Sequence, residues 1–331
     1  MGARGAGHVR HLCGITPPST GVVVNVGTAH LGEFGSRELI AAAKGELVEA
    51  LPAGGVAVLN ADDPLGRAMA ARTVARVVLA GQAPDADVRA AGITLDAWAR
   101  ASFELVTAEG SAPVRLGLHG LHMVGNALAA AAVALAAGLP LEQVAAGLGE
   151  ARPASRWRME VAERPDGVVV VNDAFNANPD STRAALQALA AMRAAETTRR
   201  TWAVLGEMVE LGEASPAEHH EMGRLAAELG VDRVVAVGEV ARPVAQGASS
   251  VTSSTGGGAD SVWLPDAPAV LDLLRSQLRP GDVVLVKASR KVGLDRLAAA
   301  LLAGDDLSGA SVSGASVSGA SVAGESVETR S

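Results

Sequence analysis

The sequence predicts a two-domain α/β protein, because short runs of β-branched residues alternate with alanine-rich segments of helical periodicity. The clearest unit lies in the middle of the chain, where four consecutive valines at 168–171 lead into a polar turn and Pro179 opens a long helix. A length of 331 residues, of which 49% are hydrophobic, is enough to fill the cores of two ordinary domains.

The first half of the chain has βαβ rhythm followed by a change of pattern. A buried-type strand is predicted at 21–26, and Ser36 is expected to cap a helix that runs to about residue 51. Short alternating runs between 88 and 118 predict a small antiparallel excursion. The remaining predicted elements are strands at 56–59 and 76–79, a helix opened by Pro64, and helices at 123–137 and 141–148.

Residues 153–158 have the composition of a linker, and a second α/β unit begins beyond them. Its alternation of strands and helices predicts a doubly wound, mostly parallel sheet. Asn178 is the expected N-cap of the helix that Pro179 opens. We also predict a capping box at 215–218 and a surface position for the pair His219 and His220. The predicted strands lie at 168–172, 202–205, 233–237, 262–264 and 283–286.

Composition excludes several classes of protein. The net charge of -8 and the absence of a basic cluster argue against nucleic acid or an anionic membrane as the main partner. Cys13 is the only cysteine, and no apolar run is long enough to cross a bilayer. We therefore expect a cytoplasmic protein without membrane insertion. The Gly-Ala-Ser-Val repeats near the end predict a disordered tail at 305–331.

Only three lysines occur among the 28 basic residues Lys and Arg, at Lys44, Lys287 and Lys291. Arginine is the default base of this chain, so a lysine can mark a position that needs a titratable amine. No nucleophile elbow, dinucleotide fingerprint or phosphate loop is present to name a chemistry. Local pattern leaves His30 as either a loop hydrogen-bonder or a functional group, and Asn126 as either a solvent-facing residue or a ligand contact.

Several motifs in chain order resemble the Mur ligase family from residue 1 to about residue 302. The resemblance implies a central ATP-binding domain at 1–152 and a C-terminal Rossmann-like domain at 153–304. The Asn-Ala-Asn-Pro form at 176–179 is most similar to members that add D-alanyl-D-alanine, rather than to those that add the third amino acid. The motifs lie at 15–18, 25–36, 43–46, 125–127, 156–160, 173–179, 205–212 and 286–290.

The resemblance implies an ATP-dependent amide ligation in peptidoglycan precursor synthesis. ATP would phosphorylate the terminal carboxylate of UDP-N-acetylmuramoyl-tripeptide, and the amine of D-alanyl-D-alanine would attack the acyl phosphate. By position in the motifs, Lys44 would be carbamylated and hold Mg²⁺ together with His30. Both residues, with Arg158 at the γ-phosphate, form the expected catalytic set.

The remaining expected roles follow from the same resemblance. Asn126 would contact the adenine, and Asp173 the ribose with Asn176 nearby. The expected substrate-binding residues are Asn178, Lys287, Ser289 and Arg290. Because the family usually has glycine where this chain has Ala288, the turn that carries the last three residues departs from the family pattern.

A second departure lies at the start of the chain. Family members carry a UDP-binding N-terminal domain, a phosphate loop and a magnesium-binding glutamate ahead of the segment that opens this sequence. We therefore expect a truncated central domain, with an exposed sheet edge and little or no ligase activity from this polypeptide alone. The alternatives are a non-catalytic nucleotide- or peptide-binding remnant, a fragment that complements a separate N-terminal half, or another Mur ligase.

Overall fold

The computed structural model describes residue 2 and residues 5–27, 34–251 and 259–304. His30 and the predicted tail at 305–331 lie outside these residues. The described part forms two six-stranded sheets, one from each half of the chain, and confirms the predicted α/β class.

The first sheet has its strands in chain order, from β1 at one edge to β6 at the other. Strands β1 to β4 run parallel, whereas β4, β5 and β6 are antiparallel, which confirms the predicted excursion. Its strands are β1 (Thr20–Val23), β2 (Val56–Asn60), β3 (Arg76–Gly81), β4 (Val88–Leu95), β5 (Arg100–Thr107) and β6 (Gly110–His119). Its helices are α1 (His8–Ile15), α2 (Arg37–Glu49), α3 (Pro64–Ala68), α4 (His122–Ala136) and α5 (Leu141–Glu150).

The second sheet has the order β11-β10-β9-β12-β8-β7, in which β7 is antiparallel to β8 and all other neighbouring strands are parallel. This is the predicted doubly wound arrangement. Its strands are β7 (Glu160–Glu163), β8 (Val169–Asp173), β9 (Thr201–Leu205), β10 (Arg233–Val237), β11 (Asp260–Leu264) and β12 (Val283–Lys287). Its helices are α6 (Pro179–Ala195), α7 (Ser215–Glu228), α8 (Arg242–Ser249), α9 (Ala267–Gln277) and α10 (Leu294–Ala303).

The central strands of the second sheet are buried on both faces. Val169 and Val171 belong to the core cluster under α6 and α7, whereas Val168 and Val170 belong to the cluster under α9 and α10. A strand covered on both sides has no polar face, which is why these runs are continuously apolar instead of alternating. The edge strand β7 lacks such a run, and its ends are exposed, so no local pattern predicts it.

Two predictions about α7 are wrong. The N-cap residue is Ala214, no side chain caps the helix, and Ser215 already has helical backbone angles, φ -52° and ψ -49°. A capping side chain needs an extended backbone at its own residue, and the 3₁₀ turn at Gly212–Ala214 continues directly into the helix instead. The neighbouring His219 is also not a surface residue, because it is completely buried.

The antiparallel excursion connects the two halves of the molecule. Ala99, in the turn between β4 and β5, belongs to the core cluster of the second sheet, and Trp98 packs against that cluster. The Arg199 side chain donates a hydrogen bond of 2.9 Å to the Ala97 carbonyl and lies over the Trp98 ring, 4.9 Å from its centroid. The predicted boundary at 152/153 falls between Glu150, where α5 ends, and Glu160, where β7 begins.

Within the described ranges, the structure contains no helix of sufficient length and apolar character to cross a bilayer.

Candidate functional site

Three neighbouring parallel strands of the second sheet end together and bring polar residues to one edge. Lys287, the last residue of β12, pairs in register with Asp173 of β8 on one side and Leu205 of β9 on the other. The loops that follow these strands carry the motifs that the sequence singled out. In open α/β sheets, ligands bind at this carboxyl edge because loop amides and helix N-termini converge there.

The Lys287 side chain is only 2% exposed and is held by two acceptors. Its Nζ donates to Asp173 Oδ2 at 2.6 Å and to the Asn176 carbonyl at 2.9 Å. Asp173 Oδ1 accepts the Met159 amide at 3.0 Å, so the same carboxylate also ties down the segment before β7. Burial lowers the pKa of Lys287, and the adjacent Asp173 carboxylate opposes that shift.

Ser289 ties together the loops after β8 and β9. Its buried hydroxyl accepts the Val209 amide at 3.1 Å and donates to the Ala177 carbonyl at 3.3 Å. The preceding Ala288 does not have a positive φ, so a Cβ at this position causes no backbone strain. Its methyl group is buried next to Gly206, where an added Cβ would lie 2.8 Å from it. The departure from the family pattern at Ala288 is therefore accommodated by glycine on the neighbouring strand end.

Three arginines and two aromatic rings meet beside this edge and form what we call the arginine–aromatic cluster. The Arg158 guanidinium carbon lies 4.0 Å from the Phe175 ring centroid. Arg290 lies 5.3 Å from the Trp157 centroid and 5.6 Å from that of Phe175, and Arg156 lies 5.8 Å from Trp157. In the part of the chain that the structure describes, none of the three guanidinium groups forms an ion pair with a carboxylate.

The backbone around Arg158 is unusual. Trp157 and Met159, on either side of it, have φ angles of 61° and 48°, in the left-handed region that large L-residues seldom adopt. The Phe175 amide donates to the Trp157 carbonyl at 3.1 Å, and the Met159 amide donates to Asp173. These hydrogen bonds hold the strained segment and fix where the Arg158 side chain begins.

A cleft of about 510 Å³ separates the two halves of the molecule. Lys44, His122 and Asn126 line it from the first half. Asn178 and Asp180, at the start of α6, line it from the second half. The cleft therefore brings together three residues that the sequence singled out, Lys44, Asn126 and Asn178.

Lys44 lies half-buried on α2 and lines the cleft. Its Nζ donates to the Asn25 carbonyl at 2.9 Å, just past the end of β1. Desolvation lowers the pKa of this amine, while the carboxylates of Asp63 and Asp180 oppose the shift. Asp180 belongs to the second half of the molecule, so the charge around Lys44 is set from both sides of the cleft.

Packing requires glycine at position 45, directly after Lys44. The Arg72 guanidinium lies against Gly45 and donates to the carbonyls of Ala41 and Ala42 at 3.1 and 2.9 Å. A Cβ on Gly45 would lie 1.9 Å from Arg72 Nη1. Any larger residue would displace this arginine, which bonds to α2 one turn before Lys44.

The two asparagines of the cleft differ in how they are held. Asn178 caps α6, because its Oδ1 accepts the Ser181 amide at 2.8 Å and the Ser181 hydroxyl accepts its amide in return at 3.1 Å. This confirms the predicted N-cap. Asn126 is exposed on α4, and among the described residues its amide group has only a long contact of 3.6 Å with the Met123 sulfur. Asn126 is therefore available to a ligand in the cleft.

Sequence reasoning missed His122 and the two aromatic rings. His122 opens α4 and faces the cleft, where desolvation lowers its pKa and the carboxylate of Asp173 opposes the shift. This electrostatic influence shows that the strand-end pair of Asp173 and Lys287 lies close to the cleft. The available signals were the Gly-Leu-His turn before an apolar helix and the Arg-Trp-Arg triplet, where one aromatic ring stands between two arginines.

The structure divides the predicted site residues into two groups. Lys44, Asn126 and Asn178 line the cleft, whereas Arg158, Asp173, Asn176, Lys287, Ser289 and Arg290 surround the strand ends of the second sheet. His30 lies outside the described residues. Among those described, no three His, Cys, Asp or Glu side chains come close enough together to hold a metal ion. The carboxylate-like group that a metal would need at Lys44 depends on modification of the lysine itself.

The chain matches two family profiles in succession. Residues 1–134 match the Mur ligase middle domain, and residues 157–290 match the Mur ligase glutamate ligase domain. Over 317 residues it is 53% identical to UDP-N-acetylmuramoyl-tripeptide--D-alanyl-D-alanine ligase from Mycobacterium tuberculosis H37Rv, covering 92% of this chain and 62% of that relative. The chain thus spans less than two thirds of this relative's length.

Solved structures are similar to this chain as well. MurF from Acinetobacter baumannii superposes with a TM-score of 0.80 at 32% identity, covering 92% of this chain and 64% of that one. MurF ligase from Thermotoga maritima, solved in complex with ADP, superposes with a TM-score of 0.74 at 28% identity, covering 88% and 63% of the two chains.

Proposed function

We propose, since this chain belongs to the Mur ligase family, that it takes part in the ATP-dependent joining of D-alanyl-D-alanine to UDP-N-acetylmuramoyl-tripeptide. The observation that carries the proposal is the two-sided cleft, in which Lys44 and Asn126 face Asn178 and Asp180 across the junction of the two halves. A reaction with three substrates needs groups from more than one direction to hold them in line.

The reaction builds an amide through an acyl phosphate. The tripeptide carboxylate attacks the γ-phosphorus of ATP and ADP leaves; the dipeptide amine then attacks the acyl carbon, loses a proton, and phosphate departs from the tetrahedral intermediate. Negative charge accumulates on the transferred phosphoryl group and on the intermediate. In our proposal the Arg158 guanidinium, without a carboxylate partner among the described residues, neutralises the phosphoryl charge.

The nucleotide is proposed to span the cleft. Asn126 binds the adenine with an amide group that makes no strong hydrogen bond to any described residue. Asp173 binds the ribose through the acceptor capacity left after its bonds to Met159 and Lys287, with Asn176 beside it. Lys287 and Ser289 hold the strand-end loops in place, and Arg290 and Asn178 complete the side that receives the dipeptide.

Lys44 is proposed to be carbamylated, with Mg²⁺ held by the carbamate and His30. Only the neutral amine reacts with carbon dioxide, giving a carbamate and releasing a proton. Desolvation lowers the pKa of Lys44 and so raises its neutral fraction, which supports this assignment over an unmodified solvated lysine. Bound there, Mg²⁺ would supply positive charge for the phosphate oxygens.

We propose a cytoplasmic location, since ATP and UDP-linked precursors are intracellular substrates and the chain has a single cysteine. We also propose that the chain works with an N-terminal UDP-binding region, whether on the same or on a separate polypeptide. The fraction of the relatives' length that this chain spans supports that reading.

The test is a ligation assay with ATP and both substrates, run on the 331-residue protein alone and with the N-terminal region of the Mycobacterium tuberculosis relative added. Ligated product in either assay supports the proposal. Arg158→Ala should lower the product rate by about 100-fold or more without changing stability, because a donor to developing charge is lost. Arg164→Ala is the control, since Arg164 pairs with exposed Asp166 away from the site.

Absence of product from the wild-type protein in both assays would contradict the proposed function. ATP binding without product in either assay would instead indicate a non-catalytic nucleotide-binding module.

A further inference from the structure

The Phe175 ring is shared by two cations that come from distant parts of the chain. Arg158 lies in the segment before β7, and Arg290 lies after β12. Both guanidinium carbons fall within cation–π range of the one ring, at 4.0 and 5.6 Å from its centroid. By geometry they are therefore no more than about 10 Å apart.

Two like charges at this separation repel one another, and in the described part of the chain no carboxylate lies within ion-pair distance of either. Arg158 has no carboxylate partner among the described residues, and neither does Arg290. The carboxylate of Asp173, at the end of β8, is already paired with Lys287. The negative face of an aromatic ring is thus the described group that keeps the two guanidiniums together.

The Phe175 ring is also anchored through its own backbone. Phe175 is half-buried, and its amide donates to the carbonyl of Trp157, the residue before Arg158. The centroid of the Trp157 ring in turn lies 5.3 Å from the guanidinium carbon of Arg290. Phe175 is therefore coupled to both arginines through its ring and to the strained Arg158 segment through its amide.

We infer that Phe175 is a positioning residue, which holds Arg158 and Arg290 on one anionic group, the terminal phosphate of the bound nucleotide. The inference rests on the proposed function. It deepens that function by giving Arg290 a share in phosphate binding and by naming the side chain that aligns both cations. A phosphate that accepts charge-assisted hydrogen bonds of about 2.8 Å from each guanidinium can bridge two cations at this separation.

A purely space-filling role for Phe175 predicts a different outcome from a positioning role. A large apolar residue such as leucine or methionine would fill the same space and leave the arginines in place. A positioning role requires the ring itself, so leucine and methionine should fail where tyrosine succeeds.

The experiment is calorimetric titration of the 331-residue protein with MgATP and, separately, with MgADP. The wild-type protein should prefer ATP. Phe175→Leu should reduce the ratio of ATP affinity to ADP affinity by roughly three- to thirtyfold, with ADP affinity unchanged, since only the terminal phosphate is affected. Phe175→Tyr should keep the wild-type ratio. Phe175→Met is a second ring-free variant, which repeats the test if the leucine variant folds poorly.

Trp263→Leu is the matched control. It removes an arginine–aromatic pair of similar geometry, with Arg242 4.1 Å from the Trp263 centroid, on the other side of the sheet order from β8. It should leave the ATP-to-ADP affinity ratio unchanged.

The possible failures can be told apart. If the wild-type protein prefers ATP and both ring-free variants keep that preference, the inference about Phe175 is wrong and the proposed function stands. A parallel loss of ATP and ADP affinity in the ring-free variants also overturns the inference, because it points to general damage. If the wild-type protein binds neither nucleotide, both the inference and the nucleotide step of the proposed function fail.

Discussion

Lys287 illustrates how a lysine can mark a structurally important position in a chain whose basic residues are mostly arginine. In a chain that prefers arginine, a lysine can mark a position that needs a compact amine, and Lys287 is among the largest fully buried side chains of the described residues. Its compact ammonium group fits between a carboxylate and a carbonyl, where a planar guanidinium would need more room. Because Lys287 is buried, its proposed effect on substrate binding is indirect: it holds together the loops that meet the substrate.

We predict that Lys287→Met lowers the free energy of unfolding by about 3–5 kcal/mol, because it leaves the largely buried Asp173 carboxylate without its partner. Lys291→Met is the matched control: Lys291 is 62% exposed and pairs with Glu207, so its loss should cost no more than about 1 kcal/mol. Denaturant unfolding measures both variants. Equal and small losses would show that the Lys287 pair contributes little.

At the scale of one element, α7 illustrates how a buried histidine fastens a loop. The Met208 amide donates to His219 Nε2 at 2.9 Å, so the opposite nitrogen, Nδ1, carries the proton and donates to the Ser215 carbonyl at 2.7 Å. This arrangement requires a neutral imidazole. Desolvation lowers the pKa of His219, while its bond to Ser215 and the charge of Glu207 oppose the shift.

The sign of the resulting pH dependence follows from linkage. The folded protein binds a proton at His219 less readily than the unfolded chain. The contribution of neutral His219 to the free energy of unfolding is therefore fully present above the unfolded pKa of about 6.5 and is lost as pH falls. We predict that the wild-type protein loses stability relative to His219→Gln below about pH 6.5, by at most about 1.4 kcal/mol per pH unit. Glutamine can make both hydrogen bonds but does not titrate.

Denaturant unfolding of both proteins between pH 7.5 and 5 measures this difference, and the shared carboxylates cancel in the comparison. Parallel curves for the two proteins would mean that His219 does not control stability in this range.

At the scale of the whole molecule, the turn between β4 and β5 joins the two halves. Arg199 reaches back to this turn with its side chain only 11% exposed, bonding Ala97 and covering Trp98. We predict that Arg199→Ala destabilises the protein by about 1–3 kcal/mol and broadens or splits its calorimetric unfolding transition, because the halves lose a shared contact.

Arg224→Ala is the control for this prediction. Arg224 pairs with Glu221 and Glu228 on its own helix, so its loss should leave the shape of the transition unchanged. A single, unshifted transition in Arg199→Ala would show that the turn does not couple the halves.

The sequence by itself determined the alternation of strands and helices along most of the chain, the antiparallel excursion and the cap at Asn178, but not the edge strand β7. These features depend on periodicity and on residues a few positions apart, which a local pattern records. It also marked the motifs from which the family could be recognised. The roles of the individual motif residues remain predictions.

Only the tertiary structure decided which of those residues act together. Lys287 meets Asp173 across 114 positions of the chain, and Ser289 meets Ala177 across 112. The arginine–aromatic cluster, the burial of His219 and the fit of Ala288 against Gly206 likewise depend on contacts made when separate strands enter one sheet. No local pattern encodes such contacts, because they arise from the register and packing of segments that are remote in sequence.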